Sequence, residues 1–134
     1  MPRRQFKLPS FDEEYLNATG LEWETIIEAN NVKWLLIHAR PVPSGFNATT
    51  ASTALQIAAG YPDSQLDMAY YFPALARQDS RPINLLSNQS IDSKTYQRWS
   101  RHRTAASAWR PGEDDVSTHL AYMDAALESE FKKR

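Results

Sequence analysis

The chain has no cysteine in its 134 residues. That absence removes disulfides, thiolate metal ligands and thiol nucleophiles together, in any compartment. Histidine is scarce too. His38, His102 and His119 are the only three, and no two stand at i, i+4 spacing, so neither a metal nor any other cofactor is expected. Long apolar runs are missing: Trp34-Leu35-Leu36-Ile37 is strand-sized, far below the ~20 residues of a membrane span. The basic opening Pro2-Arg3-Arg4-Gln5-Phe6-Lys7 leads into no apolar segment of the secretory kind. The expectation is a cytoplasmic protein without membrane contact.

What is present is ordinary for a globular fold. Hydrophobic residues make up 42% and charged residues 23%, too apolar for disorder. The length suits one domain, 1–134, with its core over about 8–131. Fifteen basic against sixteen acidic residues leave a net charge of −1, which gives no field toward nucleic acid. The charge is uneven, however. Residues 94–110 carry Lys94, Arg98, Arg101, Arg103 and Arg110 and no acid, which reads either as a solvated face or as a surface turned to a partner.

Residues 11–18 read as a short helix with Ser10 as its cap, Glu13 three residues later and Gly20 just past its end. Residues 23–29 and 32–38, rich in β-branched and aromatic side chains around Asn30-Asn31, form a hairpin. Pro41, Pro43 and Gly45 make residues 40–47 a surface connection. A third strand over 49–57 ends before Gly60-Tyr61-Pro62, and a fourth over 66–72 ends at Pro73. From 73 to 111 the pattern lacks periodicity and reads as a long irregular segment, of the kind that often carries function. After Pro111-Gly112, acids at 113–115 precede Val116, Leu120, Met123, Leu127 and Phe131, an amphipathic helix. The class is α+β: a four-stranded antiparallel meander covered by a C-terminal helix, with a short N-terminal helix.

This order, with Gly60-Tyr61-Pro62 after the third strand and Trp109-Arg110-Pro111 before the last helix, resembles the ubiquitin-conjugating enzyme (UBC) fold. In that superfamily a Tyr-Pro closes the third strand, and the active-site cysteine lies in the irregular segment about eight residues before a Trp-x-Pro. Within that superfamily the chain resembles the bacterial prokaryotic family E branch. That likeness is carried by Pro41-Val42-Pro43-Ser44-Gly45-Phe46, Gly60-Tyr61-Pro62-Asp63, Leu66-Asp67-Met68, Gln97-Arg98-Trp99-Ser100-Arg101-His102 and Trp109-Arg110-Pro111-Gly112-Glu113-Asp114. The resemblance implies work in ubiquitin-like conjugation, with a ubiquitin-like protein and a ThiF-like activating enzyme as partners. The chain departs from the orthodox enzymes in lacking the cysteine, the His-Pro-Asn before it and the long N-terminal helix that docks partners.

Without a thiol, any covalent carrier must use a hydroxyl. Ser100 stands nine residues before Trp109, near the place where the resemblance puts the cysteine. His102 is the candidate base, and Arg101 the candidate oxyanion stabiliser or carboxylate clamp. Arg98, Trp99, Arg103 and Arg110 are the candidate partner contacts. Each has a plainer reading: Ser100 as a turn or cap serine, His102 as a structural hydrogen-bonding residue, Trp99 as a core plug. Ser87, Ser90 and Thr104 are the weaker nucleophile candidates. His38 and His119 read as satisfied residues, and Asp63 and Asp67 as capping or loop-orienting carboxylates.

Three functions compete: an oxyester carrier on Ser100, a non-catalytic adaptor of the same fold, and a nucleic-acid binder stacking bases on Tyr96 and Trp99. The missing cysteine favours the adaptor. The Trp99-Ser100-Arg101-His102 segment favours the carrier, and the balanced net charge disfavours the third.

Overall fold

The computed structural model describes residues 2–132. The first helix, α1, spans Ser10–Thr19 and ends at Gly20, whose φ of 74° is a left-handed conformation open to glycine at no Cβ cost. Its start differs from the expected cap. Pro9 holds the cap position, Ser10 is already helical, and the Glu13 carboxylate instead accepts from the Leu8 N–H at 3.1 Å.

The expected hairpin is present as β1 (Trp23–Glu28) and β2 (Val32–Pro41). Asn30 and Asn31 turn it at φ 64° and 60°, which asparagine tolerates better than most residues. β2 runs further than its apolar stretch because Ala39 (φ 51°) forms a bulge, after which Arg40 and Pro41 pair with Ala51 and Thr50. Next come β3 (Thr50–Gln56) and β4 (Ala69–Phe72). β4 is shorter than the expected 66–72, and Met68, just before it, stands at φ 59° outside the extended region.

The expected four-stranded sheet is corrected to six strands. The segment read as irregular holds a second hairpin, β5 (Leu86–Ile91) and β6 (Lys94–Trp99). Its turn, Asp92-Ser93, has both residues at positive φ (53° and 62°), the mirror-image geometry that matches strand twist. β6 pairs with β4, so the antiparallel order is β1-β2-β3-β4-β6-β5. The hairpin escapes the sequence pattern because β5 is an edge strand. Ser87, Asn88 and Ser90 are exposed, and only Ile91 is buried.

The last helix, α2 (Val116–Ser129), is capped by Asp115, which accepts from the Thr118 N–H while the Thr118 hydroxyl accepts from the Asp115 N–H. Its stripe of Val116, Leu120, Met123 and Leu127 is buried against Leu35, Ile37, Leu55, Tyr71 and Trp99, as the spacing predicts. A second cluster fills the other face of the sheet: Ile26, Trp34, Leu36, Ala54, Tyr70, Ile91 and Tyr96. No helix covers it. The sheet curls over it instead, far enough for the Asp92 N–H to reach Glu28 of β1 at 2.9 Å. Among the described residues no helix is long and apolar enough to cross a membrane.

Candidate functional site

Ser100 is the first residue after β6. Its N–H donates to the Leu85 carbonyl at 3.1 Å, continuing the pairing of β6 with the chain entering β5. Here the segment leaves the sheet and passes over α2, opening a groove of about 470 Å³. Leu85, Ser100, Arg101 and His102 line it from the strand side, and Tyr122, Ala125, Ala126 and Ser129 from the helix. Leu85, just before the exposed edge strand β5, is itself 71% exposed.

His102 lines the same groove as Ser100, but no hydrogen bond joins the two side chains among the described residues. The His102 Nδ1 lies 3.1 and 3.2 Å from the two oxygens of Asp67, and the Tyr122 hydroxyl donates to the His102 carbonyl at 2.8 Å. Asp67 thus contacts the loop after β6 through the His102 ring.

The arginines divide by burial. Arg101 has only 13% of its side chain exposed. It donates to the carbonyls of Asn84, Ser100 and Leu85, pairs with Glu130 at 3.4 Å and lies over the Trp99 ring, so it ties the groove wall together. Arg103 sits between the rings of Trp109 and Tyr122, donates to the Ser107 carbonyl and reaches His119 Nδ1 at 3.1 Å. Arg98 on β6 is partly exposed. Arg110, with 74% of its side chain in solvent, is the most exposed of the four and pairs only loosely with Glu113 at 4.0 Å.

Trp99 has no exposed surface. Its ring packs edge-on to Phe46 and Tyr71, and its Nε1–H donates to Gln97, which bridges both backbone groups of Leu75. Tyr96 is equally buried at 1%, so the two rings considered for base stacking offer no face to a base. Among the other hydroxyls, Ser87 and Ser90 lie on the outer edge strand, and Thr104 exchanges hydrogen bonds with Ser107 in a short turn.

His119 is fully buried in α2. Its Nε2–H donates to the Met68 carbonyl at 2.7 Å, and burial lowers its pKa below the usual histidine value. Asp12, buried at the start of α1, takes the Tyr61 hydroxyl and the Val116 N–H, and burial raises its pKa. Tyr61 thus joins the Tyr-Pro turn to both helices, a structural role. The donor atoms of Glu22, Glu24 and His38 lie within 4.8 Å of one another. Glu24 is already held by Arg3 and His38, and His38 by Ser52, so an ion-pair network accounts for this group.

Sequence reasoning missed Leu85, Tyr122 and the alanines of the helix wall. A signal existed: Tyr122, Ala125, Ala126 and Ser129 recur at i, i+3, i+4, i+7, a second stripe of mostly small residues beside the core stripe.

A family model described as prokaryotic E2 family E matches residues 8–130, almost the whole chain and every element of this site. No curated protein and no solved structure matches it.

Proposed function

Because the chain belongs to prokaryotic E2 family E, we propose that it is the E2-like member of a conjugation pathway, taking the C-terminal tail of a ubiquitin-like protein into the groove beside α2 and carrying it as an oxyester on Ser100. The observation behind this reading is that a hydroxyl and an imidazole, Ser100 and His102, line one groove whose opposite wall carries Tyr122 and three small side chains, Ala125, Ala126 and Ser129. Small residues there leave room for an extended tail.

In this reading the tail arrives as a thioester on a ThiF-like activating enzyme. Ser100 Oγ attacks the acyl carbon, the O–C bond forms as the C–S bond breaks, and the serine proton passes through His102 to the departing thiolate. Serine needs such a base because its hydroxyl is a weak nucleophile at neutral pH.

Arg101 supports a second reading, the non-catalytic adaptor. Its guanidinium is engaged by three carbonyls and Glu130, so it is not free to stabilise an oxyanion as the sequence suggested. One experiment separates the two. The protein is incubated with the activating enzyme, ATP and the mature ubiquitin-like protein, and an adduct is sought that survives thiol reductant but yields to hydroxylamine or base. Ser100→Ala should abolish it and Ser100→Cys should make it reductant-sensitive. Binding of the tail with no adduct rejects the carrier and leaves the adaptor.

A further inference from the structure

His102 and Asp67 stand 35 residues apart in the chain, yet the His102 Nδ1 meets both oxygens of the Asp67 carboxylate. An ionised carboxylate only accepts hydrogen bonds, so the single proton of a neutral His102 ring belongs on Nδ1, and Nε2 keeps its lone pair. The opposite tautomer, with the proton on Nε2, is the one free histidine prefers. A lone surface contact would do little to hold this arrangement, since the His102 side chain is 62% exposed. Both partners are also tied to α2. The Tyr122 hydroxyl holds the His102 carbonyl, and His119, buried in the same helix, holds the carbonyl of Met68, the residue next to Asp67. Arg103 in turn donates to His119 Nδ1, which fixes that ring as an Nε2–H donor toward Met68.

From this geometry we infer that Asp67 is a positioning residue for His102: it fixes the tautomer with an unprotonated Nε2 available to the groove that Ser100 lines. Asp67 and His102 supply the carboxylate and the imidazole of a set that activates serine in acyl-transfer enzymes on unrelated folds. Ser100 lines the same groove, with no hydrogen bond to the ring among the described residues, and would complete the set when the tail binds. The consequence for acyl transfer rests on the Ser100 carrier reading. The tautomer does not.

The two are tested separately. Long-range ¹H–¹⁵N correlation on the free protein, at a pH where the ring is neutral, should show His102 as the Nδ1–H tautomer, and Asp67→Ala should return it to Nε2–H. An Nε2–H ring in the native protein overturns the assignment, whatever the adduct assay gives. In that assay Asp67→Ala should slow oxyester formation roughly 10- to 100-fold with unchanged affinity for the ubiquitin-like protein, and Asp67→Glu should recover part of the rate. Asp67→Ala added to His102→Ala should slow it no further, because the carboxylate acts only through the ring. An equal loss in both backgrounds overturns positioning. If the native protein shows the Nδ1–H tautomer and forms no adduct, the carrier reading fails while the Asp67–His102 assignment stands. Asp67 is partly exposed, so its variants are expected to fold, and a matching thermal unfolding curve checks this.

Discussion

Arg3 and Asp92 are 89 residues apart in the chain and are joined by two hydrogen bonds of 2.9 and 2.7 Å, while the same guanidinium reaches Glu24 of β1 at 2.9 Å. β1 and β5 are the two ends of the sheet order, so one side chain staples the ends of a curled sheet. Among the described residues no helix packs on the cluster of Trp34, Tyr70 and Tyr96 that this sheet face buries.

Removing that staple should show as a pH effect. The hydrogen bond from Arg3, aided by His38 and opposed by burial, holds Glu24 down to about 2 from an ordinary 4.5. The unfolded chain therefore binds a proton that the folded one refuses. The stabilisation is complete above about 4.5 and is lost as pH falls toward about 2. Arg3→Ala should lower stability at neutral pH by roughly 1–3 kcal/mol, toward the lower figure because Arg3 is 40% exposed. It should also flatten the acid limb in urea unfolding across that range. An unchanged acid limb would remove the staple's energetic role.

Leu120 lies on the buried stripe of α2 with 1% exposure. Leu120→Ala should cost about 2–5 kcal/mol through the cavity it leaves under the sheet. Chemical denaturation measures this, and a loss under ~1 kcal/mol, the range of surface changes, would contradict the packing.

Gly45 stands at φ 108°, and a Cβ there would lie 2.6 Å from the Phe131 ring. Gly45→Ala should destabilise by roughly 1–3 kcal/mol from backbone strain and overpacking. Phe131→Ala in the same chain should relieve only the second part. The two substitutions should therefore be non-additive, and strict additivity in a double-mutant cycle would refute the contact.

These cases show what the sequence makes legible. Helix α2 can be read because Val116, Leu120, Met123 and Leu127 repeat with the helical period that buries them, and the β1–β2 hairpin because β-branched and aromatic runs such as Trp34-Leu35-Leu36-Ile37 flank Asn30-Asn31. The β5–β6 hairpin cannot, because its outer strand Leu86–Ile91 faces solvent and its turn uses Asp92-Ser93 without glycine. Ser100 and His102 are visible as a local cluster. Asp67, Leu85 and Tyr122 join them only through β4, β5 and α2, and no local pattern encodes that meeting. Arginine burial is invisible for the same reason: Arg101 and Arg110 look alike in a charge run, and only the fold buries the first.

That difference sets the charge-reversal result. Arg101→Glu should destabilise by roughly 1–3 kcal/mol, since it removes the hydrogen bonds to Asn84 and Leu85 and sets a second acid beside Glu130. Arg110→Glu should change stability by less than about 0.5 kcal/mol. If residues 94–110 face a partner, Arg110→Glu and Arg98→Glu should weaken binding to the ubiquitin-like or activating protein while the fold stays intact. Titration calorimetry reads this, and unchanged affinity in both variants would leave the run as a solvated face.

His119 links the helix to the site, and its protonation should release that link. Burial lowers its pKa below 6.5, the Met68 carbonyl partly opposes the shift, and Arg103 adds to it. In the folded protein Nε2 donates to Met68, and Nδ1 accepts from Arg103. A proton on Nδ1 would put two donors face to face. The unfolded chain accepts that proton below about 6.5 and the folded chain resists it, so stability should decline as pH falls below about 6.5. His119→Gln keeps a donor for Met68 and an acceptor for Arg103 but cannot titrate. It should lose this part of the slope at a smaller stability loss than His119→Ala, which strands the carbonyl and the guanidinium together. Urea unfolding at several pH values compares the three proteins. Equal slopes in the native and His119→Gln proteins would mean that His119 protonation does not contribute to this loss of stability.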